Sequence, residues 1–141
     1  MSVRRRCRNE IEQLHQFFTD WFTGVVRDSD ANFARVAGVL ADDFVLVSPD
    51  GRVYDRASIL SVIRRGHGRR APDAFLISVD SFDVRCADGA LCVATYRERQ
   101  RIEGDDTCRI STAVFRERPL TPNGVQWVHL HETWEAPAEA E

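Results

Sequence analysis

The chain has 141 residues, of which 43% are hydrophobic and 29% charged, the balance of an ordinary globular protein. That length predicts one domain, able to bury roughly 70% of the surface its unfolded chain would expose. The net charge of −3 supplies no basic field for nucleic acid, and all 19 basic residues are arginine, which excludes lysine chemistry such as a Schiff base.

Residues 1–8 read as a basic N-terminal tail. They lead into Asn9-Glu10-Ile11-Glu12, not into the apolar core of a signal peptide, and no run approaches membrane length. A cytoplasmic protein with no membrane partner is therefore expected. Cys7, Cys86, Cys92 and Cys108 show no C-x-x-C spacing, which predicts reduced thiols. Residues 9–27 carry Ile11, Leu14, Phe18, Trp21 (or Phe22) and Val25 at three- and four-residue steps, the period of an amphipathic helix. That reading leaves Glu10, Glu12, Gln13, Gln16 and Asp20 outside.

Asp28-Ser29-Asp30 supplies cap candidates for a second helix that buries Phe33, Val36, Ala37 and Leu40. Phe44 to Ser48 is a short apolar strand closed by the turn Pro49-Asp50-Gly51. Asp55 caps a third helix running to about Arg65. A basic, glycine-rich loop, Arg64 to Pro72, follows; it lacks the G-x-x-x-x-G-K pattern of a phosphate loop and reads as solvated.

From there the chain alternates as β. Strands are predicted over 75–86, with an irregularity near Asp80-Ser81, and over 91–102, 108–118 and 125–134. A tight turn at Asp88-Gly89 sets Cys86 and Cys92 on opposite faces. Residues 136–141 read as an acidic tail, so the folded domain spans 9–135. Helices followed by an antiparallel meander predict α+β, with about three helices packed on one face of a curved sheet around a pocket. Strict alternation in the last strand puts Val128, Leu130, Glu132 and Trp134 on one face and Trp127, His129, His131 and Thr133 on the other.

Four stretches carry a family likeness: the Glu10–Phe22 helix, the segment from Leu40 to Gly51, Cys92-Val93-Ala94-Thr95-Tyr96-Arg97, and Trp127-Val128-His129-Leu130-His131. In order and content they resemble the nuclear transport factor 2-like superfamily. Its members include SnoaL-like polyketide cyclases, ketosteroid isomerases and the association domain of calmodulin-dependent kinase II. The resemblance implies a cystatin-like cone with a pocket, and a homodimer through the outer sheet face bearing Trp127, His129 and His131. It implies no particular reaction, because one fold hosts many functions.

The residues narrow the chemistry. Where ketosteroid isomerases carry a carboxylate before the proline this chain has Ser48, whose hydroxyl is too weakly basic to take a proton from carbon. Where they present a tyrosine it has Phe17-Phe18. Asp42-Asp43 reads as a polar pair at an element boundary, His129-x-His131 lacks a third metal ligand, and no cofactor is implied. His15 and His67 have no evident nucleophile partner. The resemblance to the kinase association domain places Arg97 in the cavity, where it meets Glu132 across Ala113 as a site or as a structural ion pair. Phe18, Trp21, Phe44, Leu46, Ser48, Tyr54, Ile63 and Trp134 complete the expected binding wall. The leading expectation is a protein that binds a small, partly apolar molecule, with the anionic class open. The alternatives are a cyclase, isomerase or dehydratase using Glu132 and Arg97, and an oligomerisation or adaptor domain.

Overall fold

The computed structural model of the chain describes residues 1–137. Three helices, α1 (Val3–Phe22), α2 (Asp30–Ala37) and α3 (Arg56–Arg65), precede most of the sheet. The strands are β1 (Leu40–Val47), β2 (Val53–Asp55), β3 (Phe75–Asp88), β4 (Leu91–Ile102), β5 (Asp105–Glu117) and β6 (Val125–Trp134). They form one six-stranded sheet in the order β2-β1-β6-β5-β4-β3. Only β1 and β6 run parallel; the other neighbours are antiparallel. This is the α+β cone that the sequence predicts.

Helix α1 starts earlier than expected. The Ser2 hydroxyl accepts a hydrogen bond from the Arg5 N–H at 3.2 Å, capping a helix that begins at Val3. Residues 3–8 are thus two helical turns, not a tail, and Cys7 is fully buried. The acidic tail expected over 136–141 lies, from residue 138 on, outside the described residues. Ser29 caps α2 and Asp55 caps α3, accepting from Asn32 and Ser58, as the cap candidates suggest.

The buried stripe of α1 is Cys7, Ile11, Leu14, Phe17 and Trp21, and Glu10 and His15 lie on it too. Each fully buried side chain of Phe or Leu size contributes about 1.5–3 kcal/mol, so this stripe is what seats α1 on the sheet. Glu10, expected outside, is 0% exposed. Its carboxylate accepts two hydrogen bonds from Arg35 at 2.9 and 3.1 Å, one from Trp127 Nε1 at 3.0 Å and one from Asn123 at 3.0 Å. One charge thereby joins α1, α2, the β5–β6 loop and β6.

Two irregularities set the faces. In β3 the register slips between Asp80 and Asp83, with Ser81 at φ 57°, where the sequence predicts a break. In β6, His129 pairs with Val114 but Trp127 pairs with Phe115, so Val128 is an extra residue, a bulge. The bulge reverses the expected parity before it. Trp127 turns inward, 1% exposed, with its ring 4.5 Å from that of Phe115. His129 and His131 remain outside, opposite Val45 and Val47 of β1.

Candidate functional site

A chamber of about 280 Å³ lies between the helices and the inner sheet face. Its wall is apolar: Phe18 and Phe22 from α1, Phe44 and Leu46 from β1, Ile59 and Ile63 from α3, and Leu130 from β6. Ser48 and Tyr54 add hydroxyls, and His15, Glu98, Gln100, Arg109 and Glu132 gather as a polar floor.

Of the residues expected to line the site, Phe18, Phe44, Leu46, Ser48, Tyr54, Ile63 and Glu132 do so. Three do not. Trp21 is fully enclosed behind the wall, donating from Nε1 to the Ile63 carbonyl at 2.8 Å. Trp134 is 48% exposed at the rim, beneath the Arg109 guanidinium at 4.9 Å. Arg97 is on the opposite face of the sheet. There it pairs with Glu135 at 2.7 Å and Asp80 at 3.6 Å, so the expected meeting with Glu132 does not occur. The cause is strand parity. Cys92, Ala94, Tyr96 and Glu98 point into the core, and Arg97 must therefore point out.

The arginine that does reach Glu132 is Arg109, one strand over. Its Nη1 donates to Glu132 Oε1 at 3.4 Å, and Ser111 Oγ donates to Glu132 Oε2 at 3.5 Å. Arg109 Nε stands 3.9 Å from Glu98 Oε2 and, among the described residues, is buried without a hydrogen-bond partner. His15 lies opposite on α1. Its Nδ1 is 2.7 Å from the Ile11 carbonyl, which can only accept, so Nδ1 carries a hydrogen. Nε2, 2.9 Å from Glu98 Oε1, carries a second one when the ring is an imidazolium.

The electrostatics follow from burial and neighbours. Burial pulls the His15 pKa down, but the Glu98 carboxylate outweighs it and holds the imidazole above its ordinary value. Burial pushes Glu98 up, yet His15 and then Arg109 hold it below the usual carboxylate range. Glu132 goes the other way. Burial, and then the charge of Glu98, raise it to about 7 against the pull of Arg109 and His15. The floor thus holds an ion pair, a guanidinium and a carboxyl poised to gain or lose a proton near neutrality. That set can orient an oxygen of a bound molecule and exchange a proton with it.

Glu98, Arg109, Gln100 and His15 were not named as site residues from the sequence. Glu98 shares a strand face with Cys92, Ala94 and Tyr96, but only the fold shows that this face is the inner one. The i,i+4 step from Ile11 was the signal for His15.

The sucrose-6-phosphate phosphohydrolase C-terminal family matches residues 7–136. Sucrose-phosphatase 1 of Nicotiana tabacum is 23% identical over 126 residues, 89% of this chain but only 30% of that protein's length. An NTF-2-like protein of unknown function from Pseudomonas aeruginosa superposes with a TM-score of 0.82 at 26% identity, covering 93% of this chain and 99% of that one. The CaMKII hub of S. rosetta superposes at 0.72 with 11% identity, covering 96% and 98%. These neighbours bear out the nuclear transport factor 2-like resemblance and the cone. No described helix is long and apolar enough to cross a membrane.

Proposed function

The chain belongs to the sucrose-6-phosphate phosphohydrolase C-terminal family, and we propose that its cone is a binding chamber for a small, largely apolar molecule bearing an oxygen function. One observation carries the reading. An apolar chamber ends on a floor where Glu132 holds its proton up to about pH 7 beside an arginine with an unspent buried donor. Burying such groups is costly unless something satisfies them, and a carbonyl or hydroxyl oxygen of a ligand does so. The phosphatase activity named for the longer relatives is not carried over to this chamber. This chain spans only 30% of the length of those relatives, and their activity belongs to the whole proteins.

A second reading is catalytic, favoured by the position of Glu132: a carboxyl with a pKa of about 7 facing a chamber has the form of a general acid–base. Arg109 then supports charge developing on the ligand oxygen, the role expected of Arg97. Turnover lost in Glu132→Gln, with binding kept, separates enzyme from receptor.

The outer sheet face is the homodimer interface in this reading. Val45, Val47, Val93, Val114 and Val128 are half-buried there in the single chain, with His129 and His131 among them. The described cysteines are all free thiols, which fits a reducing compartment such as the cytoplasm.

The test is a titration of intrinsic tryptophan fluorescence with medium-chain diols, since Trp127 borders the chamber. Saturable binding, lost in Leu46→Trp with the fold intact, supports the proposal. A flat titration in the wild type overturns it.

A further inference from the structure

A second hollow, a groove of about 460 Å³, opens beside the chamber. Phe22, Val62, Ile77 and Gln100 border both, so the two hollows adjoin along these side chains. The groove's own lining is Gly66, Arg69, Arg70, Phe75 and Ile102: apolar surface, two guanidiniums and no carboxylate.

The loop carrying those arginines is tied to the C-terminal end of α1. The Gly68 and Arg70 amides donate to the Trp21 and Phe22 carbonyls at 3.1 and 2.9 Å, and His67 Nε2 donates to the Val26 carbonyl at 2.7 Å. A Cβ at Gly66 would stand 2.6 Å from the Phe22 ring, so the loop rests directly on Phe22, where the two hollows adjoin. Arg64 is occupied by Asp28 and Asp30 at 2.8 and 3.0 Å. Arg69 and Arg70 make no ion pair among the described residues. Arg69 Nε donates to the Arg65 carbonyl at 3.1 Å, and the Arg70 guanidinium lies 6.0 Å over the Phe75 ring. Both side chains are exposed, with their charges unspent beside an apolar channel.

We infer that the ligand of this chain is an amphiphilic organic anion, its apolar body in the chamber and its anionic end at Arg69 and Arg70. The inference rests on the chamber reading and deepens it by naming the ligand's charge and direction. The floor takes the oxygen function and the groove takes the charge. Two exposed, unpaired guanidiniums beside an apolar surface match a carboxylate or phosphate on a short hydrocarbon and leave a neutral analogue without a charge-assisted partner.

Calorimetric titration at low salt with ω-hydroxydecanoate and with decanediol tests it, because the two share a ten-carbon chain and one hydroxyl and differ at the other end, carboxylate against hydroxymethyl. The anion should bind roughly tenfold more tightly than the diol. In the double variant Arg69→Gln, Arg70→Gln, both surface changes, the anion should fall to the level of the diol, whose own affinity stays put. Raising the salt should shrink the wild-type difference as screening grows. Equal binding of anion and diol to the wild type contradicts the inference but leaves the chamber standing. A preference for the anion that survives the double variant places the charge on Arg109 and contradicts it as well. Binding of neither compound defeats the chamber reading itself.

Discussion

Glu132 and Arg109 face the chamber from neighbouring strands, Oε1 to Nη1 at 3.4 Å, yet Glu132 does not behave as the ionised half of a salt bridge. Burial and the nearby Glu98 outweigh the guanidinium and raise its pKa to about 7. The unfolded chain releases that proton near 4.5. Between these values the folded state binds the extra proton, so Glu132 makes stability fall as pH rises through that window. The gap corresponds to roughly 3 kcal/mol above pH 7. Glu132→Gln should therefore raise the urea midpoint at pH 8 and leave it nearly unchanged at pH 4.5. A variant less stable than the wild type at pH 8 contradicts this.

His15 contributes in the same pH direction. Its folded pKa is raised, so its pairing with Glu98 stabilises fully below pH 6.5 and fades as pH climbs through the elevated value. Imidazole nitrogen shifts in a pH titration by NMR should put the His15 midpoint above the ordinary histidine value of 6.5. A midpoint below it refutes the ion pair.

Glu10 is the structural counterpart of these site residues. Glu10→Ala leaves Arg35, Trp127 Nε1 and Asn123 without their common acceptor, and removing one partner of a buried pair costs about 3–5 kcal/mol. Glu10→Gln keeps an acceptor and should cost less. Equal, small losses in chemical denaturation would show that the pairing contributes little.

The bulge at Val128 separates two substitutions that strict alternation would treat alike. His131→Glu, on the outer face, should give a folded monomer in sedimentation experiments. Trp127→Arg should unfold the chain, since it puts a charge beside Phe115 and Glu10 in the core. A folded, monomeric Trp127→Arg variant contradicts the face assignment.

The cone was legible because its signals are local and repeated: the α1 stripe, Asp55 as a cap, the slip at Asp80-Ser81, the alternation of β4 to β6. The floor was legible only in part. Glu132 was found because it is the one charge on a face otherwise set by Leu130. Its partner was misread because Arg97 and Glu98 are adjacent and both faces of β4 carry strand-forming residues, Val93 and Thr95 outside, Ala94 and Tyr96 inside. Nothing local decides between them; packing of Tyr96 and Cys92 against α1 does. The inward turn of Trp127 needed a bulge, and a one-residue slip leaves no mark in an alternating string. Glu10 resembled a solvated helix residue until tertiary contacts gave it Arg35 and Trp127.

If the chamber, with Glu132 and Arg109 at its floor, holds a ligand, methyl NMR of isoleucine- and leucine-labelled protein titrated with decanediol will detect it. Saturable shifts are expected at Leu46, Ile59, Ile63 and Leu130, which line the chamber, and none at Leu91 or Ile110, which lie exposed. Shifts confined to Leu91 and Ile110, or no shifts at all, would contradict the chamber reading.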